Sequence, residues 1–204
     1  MGIEAQYQAM PENCDFLRRA RTDREFAEVI QSFDKYALGK GTLFDDDPPY
    51  RREFIAGAQA LEKQFPGLAS RYFYAGSRCF SMIRYLLSPS YREEPKSVPD
   101  NGFIRQAIYG TERLHPEANA TQGCPIGFVP TREVPLLAEY LSQITREILH
   151  EYYDPPRMHA SGVYKMRGDA DEDDFKAIWD ELTGMKLVYQ QAAEHGEAMI
   201  TVID

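Results

Sequence analysis

The last thirty residues, 175-FKAIWDELTGMKLVYQQAAEHGEAMITVID-204, contain a helix followed by a strand, and that order decides the fold class. Phe175, Ile178, Trp179, Leu182, Met185, Tyr189 and Ala192 recur every three or four residues, which lines one face of a helix. Trp179 lies on that stripe and is predicted to be a core residue. Gly196 stands where a helix end needs a left-handed backbone. AMITVI is too short for another helix and too rich in β-branched residues for a loop, so it reads as a strand. The other end of the chain carries a matching element. Ile3, Ala5, Tyr7 and Ala9 alternate with Glu4, Gln6 and Gln8, the pattern of a half-buried strand. A lone strand leaves its backbone groups unsatisfied, so the two terminal strands are predicted to share one sheet.

Between these strands the chain reads as mostly helical. Pro11 opens a short helix, and Thr22 with Glu25 forms a capping box ahead of Phe26, Val29, Ile30, Phe33 and Ala37. A helix starts near Pro49 and ends at Pro66-Gly67. Another is expected from Arg78 to Leu87 with Ser77 as its cap, followed by a loop from Ser88 to Gly102 carrying Pro89, Pro95 and Pro99. Phe103 to Ile108 suggests a short helix, 111–127 is irregular, and 135–153 is helical with a break near 142–145. Asp154-Pro155 is a cap followed by a first-turn proline. The fold class is therefore α+β: a helix-rich single domain spanning residues 1–204, with a small sheet that includes both terminal strands.

Composition narrows the function classes. The chain has 204 residues, 43% of them hydrophobic, a length that suits one domain. Its 23 Lys and Arg face 32 Asp and Glu, so the net charge is −9; this argues against a nucleic-acid partner and suits a basic protein partner. No apolar run approaches the roughly 20 residues of a membrane span. MGIEAQ lacks both a signal-peptide pattern and the Ser or Thr of an acylation signal at Gly2. Cys14, Cys79 and Cys124 form no CxxC and read as reduced thiols of a cytoplasmic protein.

Several stretches resemble one bacterial family. The N-terminal strand, IRYLL, the run Tyr153, Asp154, Pro155, Met158, Val163, Tyr164, and the ending Ala192, Ala193, Gly196, Glu197, Ala198 are similar to the YfbM-like family, a domain of unknown function. The resemblance spans almost the whole chain and implies a small cytoplasmic bacterial protein, with no established chemistry. Members of that family often carry a Trp-His pair and a further His in the helix before the Leu pair. Here those positions are Phe80, Ser81 and Arg84, so chemistry resting on those histidines is missing.

One stretch stands out as a candidate site. From Pro66 to Arg92 there is no Asp or Glu, while Arg71, Arg78, Arg84 and Arg92 interleave with tyrosines. Ser77, Ser81, Arg84 and Ser88 fall on one helical stripe, where Arg offers a planar donor fork and Ser a hydroxyl to a small anion. Arg78, Ser81, Arg84 and Tyr74 are the candidate ligand-binding residues; the competing reading pairs these arginines with acidic surface residues. His150-Glu151 and Asp154 mimic HExxH, but Asp154 looks like a helix cap. Asp169, Asp171, Asp173 and Asp180 fit part of a calcium-loop template, but acidic residues ahead of a helix also suit its dipole. Cys124 has no base assigned to it. No metal and no cofactor are expected, and GxSxG, P-loop and GxGxxG motifs are absent. The sequence thus favours a non-catalytic binding or interaction module; the alternative is an enzyme acting on a small anionic substrate at the Arg/Tyr/Ser patch.

Overall fold

Five strands form one antiparallel sheet: β1 (Ala5–Met10), β2 (Tyr72–Ala75), β3 (Glu112–Arg113), β4 (Gly127–Val129) and β5 (Ala198–Ile203), in the order β2-β1-β5-β4-β3. The computed structural model describes residues 3–76, 78–93 and 102–204, so the expectations for Gly2, Ser77, Pro95 and Pro99 fall outside them. The terminal strands do pair, at the centre of the sheet, with Ala5 opposite Ile203 and Met10 opposite Ala198.

Helices cover both faces. On one face pack α1 (Asp15–Ala20), α2 (Arg24–Glu28), α3 (Phe33–Ala37) and α4 (Pro49–Gln64), around Phe16, Phe26, Phe33 and Phe54. On the other lie α5 (Phe80–Leu87), α6 (Pro89–Glu93), α7 (Phe103–Tyr109), α8 (Val134–Ser142), α9 (Arg146–His150), α10 (Pro155–Ala160) and α11 (Glu172–His195). β1 is therefore not half-buried as its alternation suggests. Met10 is fully buried, and Gln8 is buried because its amide donates to the carbonyls of Ala9 (2.8 Å), Leu68 (3.1 Å) and Arg71 (3.3 Å). A buried amide with its donors satisfied is tolerated, and alternation alone cannot distinguish it from a solvated one.

The long helices follow the sequence. α4 begins at Pro49, and Gly67 takes φ +86° just past its end. Thr145 caps α9 and Asp154 caps α10. α11 starts from Asp171 in a capping box with Asp174 and stops at Gly196, φ +64°. Its buried face differs at the edges. Val188 and Glu181 lie inward, whereas Trp179 is half-buried beside the stripe, with the Lys186 ammonium 5.0 Å from its ring centroid. A 3.6-residue period leaves a residue adjacent to Ile178 off the stripe's centre, and the large ring fills the shoulder.

Other expectations are corrected. Asp23, not Thr22, caps α2, and the expected single helix breaks into α2, a 3-10 turn and α3. Arg78 has a left-handed backbone, φ +63°, so α5 begins at Phe80 instead. Pro89–Glu93 is a helical turn within the expected loop. β2 and β3 were not foreseen, while β4 falls in QGCPIGFVP, which reads as a loop or short strand; β4 depends on Gly127, where a Cβ would lie 2.0 Å from the Tyr109 carbonyl oxygen.

Candidate functional site

The sequence-predicted residues separate into two groups. The Arg78 guanidinium donates to Glu4 Oε1 from Nε (3.1 Å) and Nη2 (2.9 Å), and the Tyr74 hydroxyl donates to the other oxygen of the same carboxylate. The acid that meets Arg78 stands just before β1 at the start of the chain, in line with the ion-pair reading. Ser81 is buried on α5. Arg84 stacks over the rings of Tyr91 (4.1 Å) and Tyr109 (5.4 Å). Burial raises the Tyr109 hydroxyl pKa, and the neighbouring Arg84 charge opposes that rise. None of Tyr74, Arg78, Ser81 and Arg84 lines either large described cavity.

The metal-like motifs resolve into helix starts. Asp154 Oδ1 accepts from the Arg157 N–H (3.1 Å), and His150 Nε2 lies 3.1 Å from Glu172 Oε1. Asp171 Oδ1 accepts from Asp173 and Asp174, while Asp174 accepts from the Asp171 N–H and from Arg167 (2.7 Å). Among the described residues no three His, Cys, Asp or Glu side chains gather closely enough to share a metal ion. Cys14, Cys79 and Cys124 are free thiols.

The main concavity is elsewhere. A cleft of about 1030 Å³ opens where β1 gives way to α1, between the C-terminal ends of α4 and α11. Three features organise it. Arg71 and Glu197 form a two-pronged pair at its base, 2.8 and 2.7 Å, with Glu197 4% exposed. Along one wall Arg19 lies over the Phe26 ring (4.6 Å) and pairs with Glu53 (2.5 Å). Near the mouth of α1, Cys14 Sγ accepts from the Leu17 N–H (3.4 Å), and burial pushes the thiol pKa up. Glu12 accepts from the Thr131 N–H (2.7 Å), and His195 Nδ1 lies 2.8 Å from the Gln191 carbonyl. The ionisable groups are thus committed to partners while the buried Thr131 hydroxyl has none among the described residues, and at neutral pH the raised thiol is protonated rather than a nucleophilic thiolate.

Sequence reasoning missed this cleft because its walls come from distant segments. In the sequence Arg71 is one arginine of the acid-free stretch, and its acid lies 126 residues away, in the Ala192–Ala198 ending. Nothing local to either residue reveals the pair.

An antiparallel sheet clad by helices on both faces, with a cleft at one end of its central strands, defines the class of protein. The chain belongs to the family described as Domain of unknown function (DUF1877), whose model matches residues 79–202. In fold it is similar to a crystal structure from Escherichia coli, titled as that of YfbM, a protein of unknown function; 98% of this chain and 99% of that one align, with 12% identity and a TM-score of 0.58. No curated protein matches the chain. No described helix is long and apolar enough to cross a membrane.

Proposed function

We propose that this protein is a non-catalytic binding module that holds a small ligand in the cleft between the ends of α4 and α11. One observation carries this reading: the cleft is as large as common ligand sites, yet its ionisable side chains are already tied to protein partners. A catalytic group must be available to take a proton or attack a bond. Here the one thiol accepts a backbone hydrogen bond and is held protonated by burial. The Arg71–Glu197 pair at the base is held in place by its own contacts and presents a fixed shape at little entropic cost, while the more exposed Arg19–Glu53 pair on the wall is open to exchange, which suits binding.

Equilibrium dialysis against a mixture of water-soluble metabolites tests this. A compound retained by the protein and recovered unchanged after prolonged incubation is the expected result. Recovery of a transformed product would overturn the non-catalytic part. Failure of every compound to be retained would overturn the binding site itself.

A further inference from the structure

The cleft's own wall shows one kind of group that it holds well. Arg19 rests its guanidinium 4.6 Å from the centre of the Phe26 ring and 2.5 Å from Glu53. Phe16 packs edge-on against Phe26, with ring centroids 5.0 Å apart, and both rings line the cleft. An aromatic face beside a carboxylate is the arrangement that attracts a cation, because the ring quadrupole and the carboxylate pull the same way.

The wider electrostatics point in the same direction. Four carboxylates line the cleft (Glu12, Asp15, Glu53 and Glu197) against two guanidinium groups, Arg19 and Arg71. Two of the longest helices, α4 with 16 residues and α11 with 24, direct their C-terminal ends to this cleft. Helix C-termini carry partial negative charge from unpaired carbonyls. The opposing element, α1, has six residues, and its N-terminal dipole is opposed by Asp15.

From these observations we infer that the cleft selects a ligand bearing a guanidinium or alkyl-ammonium group, which sits against Phe16, Phe26 and Glu53 where Arg19 now acts as a resident cation. This rests on the reading of the cleft as a small-ligand site and adds the ligand's chemical class. The ligand's cation competes with Arg19 for the carboxylate and the ring. Arg19 thus lowers affinity, although it is a basic residue in a binding site.

That sign makes the inference testable. The experiment follows the amide spectrum of the ¹⁵N-labelled full chain during titration with agmatine, an alkyl guanidinium, and in parallel with pentanoate and inorganic phosphate. Agmatine is expected to shift the amides of Phe16, Phe26 and Gly57, and neither anion should do so. Glu53→Gln should weaken agmatine about two- to fivefold, the range of a partly exposed ion pair. Arg19→Gln should strengthen it by a similar factor, an effect that general loss of structure would not produce. Agmatine leaving these amides unmoved, or Arg19→Gln weakening its binding, overturns the inference. If pentanoate or phosphate shifts the same amides instead, the charge assignment fails while the cleft stands as a ligand site. If neither these probes nor the metabolite mixture reaches the cleft, both readings fail.

Discussion

Replacing Glu197 with Gln tests the pair at the base of the cleft. Glu197 is 4% exposed and receives two hydrogen bonds from Arg71, whose side chain is 14% exposed. Glutamine keeps the shape and one acceptor oxygen but removes the charge, so the guanidinium loses its counter-ion. Breaking a fully buried pair costs about 3–5 kcal/mol. Arg71 opens partly onto the cleft, and water there recovers some of that cost, so we expect about 2–3 kcal/mol. For a chain of this length about 1 kcal/mol corresponds to roughly 2–4 °C, which gives a melting-temperature drop of about 4–12 °C. Thermal unfolding followed by circular dichroism reads this directly. The double replacement Arg71→Leu with Glu197→Leu should cost clearly less than the sum of the two single changes, because no charge is then left buried alone. A Glu197→Gln protein melting within about 1 °C of the parent would show that water already solvates the pair and that the base of the cleft is not desolvated.

Three further outcomes follow from particular contacts. Gly127→Ala should lower the melting temperature by at least about 4 °C, since the new methyl would lie 2.0 Å from the Tyr109 carbonyl and 2.3 Å from Thr201 Oγ1. The N–H of Asp171, and then Arg167, hold the Asp174 carboxyl below its usual range. Its contribution is therefore present above about pH 4 and is lost as pH falls through its lowered value; Asp174→Asn should flatten that part of the stability profile, read by melting at stepped pH. Trp179→Ala should cost less than the roughly 3–5 kcal/mol of a core tryptophan, because the ring is half-buried, and an external quencher should reach its fluorescence in the folded protein.

The elements legible in the sequence are those whose signals are local. α11 could be read from its period, the terminal strands from alternation and β-branching, the separation of α8 and α9 from the break near 142–145, and α10 from Asp154 as its cap. The signals that failed depend on tertiary context. β2 through β4 are short strands that exist because neighbouring strands supply their hydrogen bonds, and β3 is only two residues long. Gln8 looked like a surface residue until the carbonyls of Leu68 and Arg71 were in place to receive its amide. The candidate site shows the same division. The absence of acids from Pro66 to Arg92 was correctly visible, but partner choice was not: Arg78 meets Glu4 and Arg71 meets Glu197. Two arginines of the acid-free stretch thus take their counter-charges from the two terminal strand regions, while Arg84 and Arg92 lie over tyrosine rings.

The central claim is that the cleft between α4 and α11 is the place where this protein meets its ligand. Amide shift mapping of the ¹⁵N-labelled chain against a small-molecule extract of its host cells tests it most directly. The account predicts shifts concentrated at residues 12–16, 57–65 and 195–197. Shifts confined to the surroundings of Arg84, Tyr91 and Tyr109, or none at all, would contradict it.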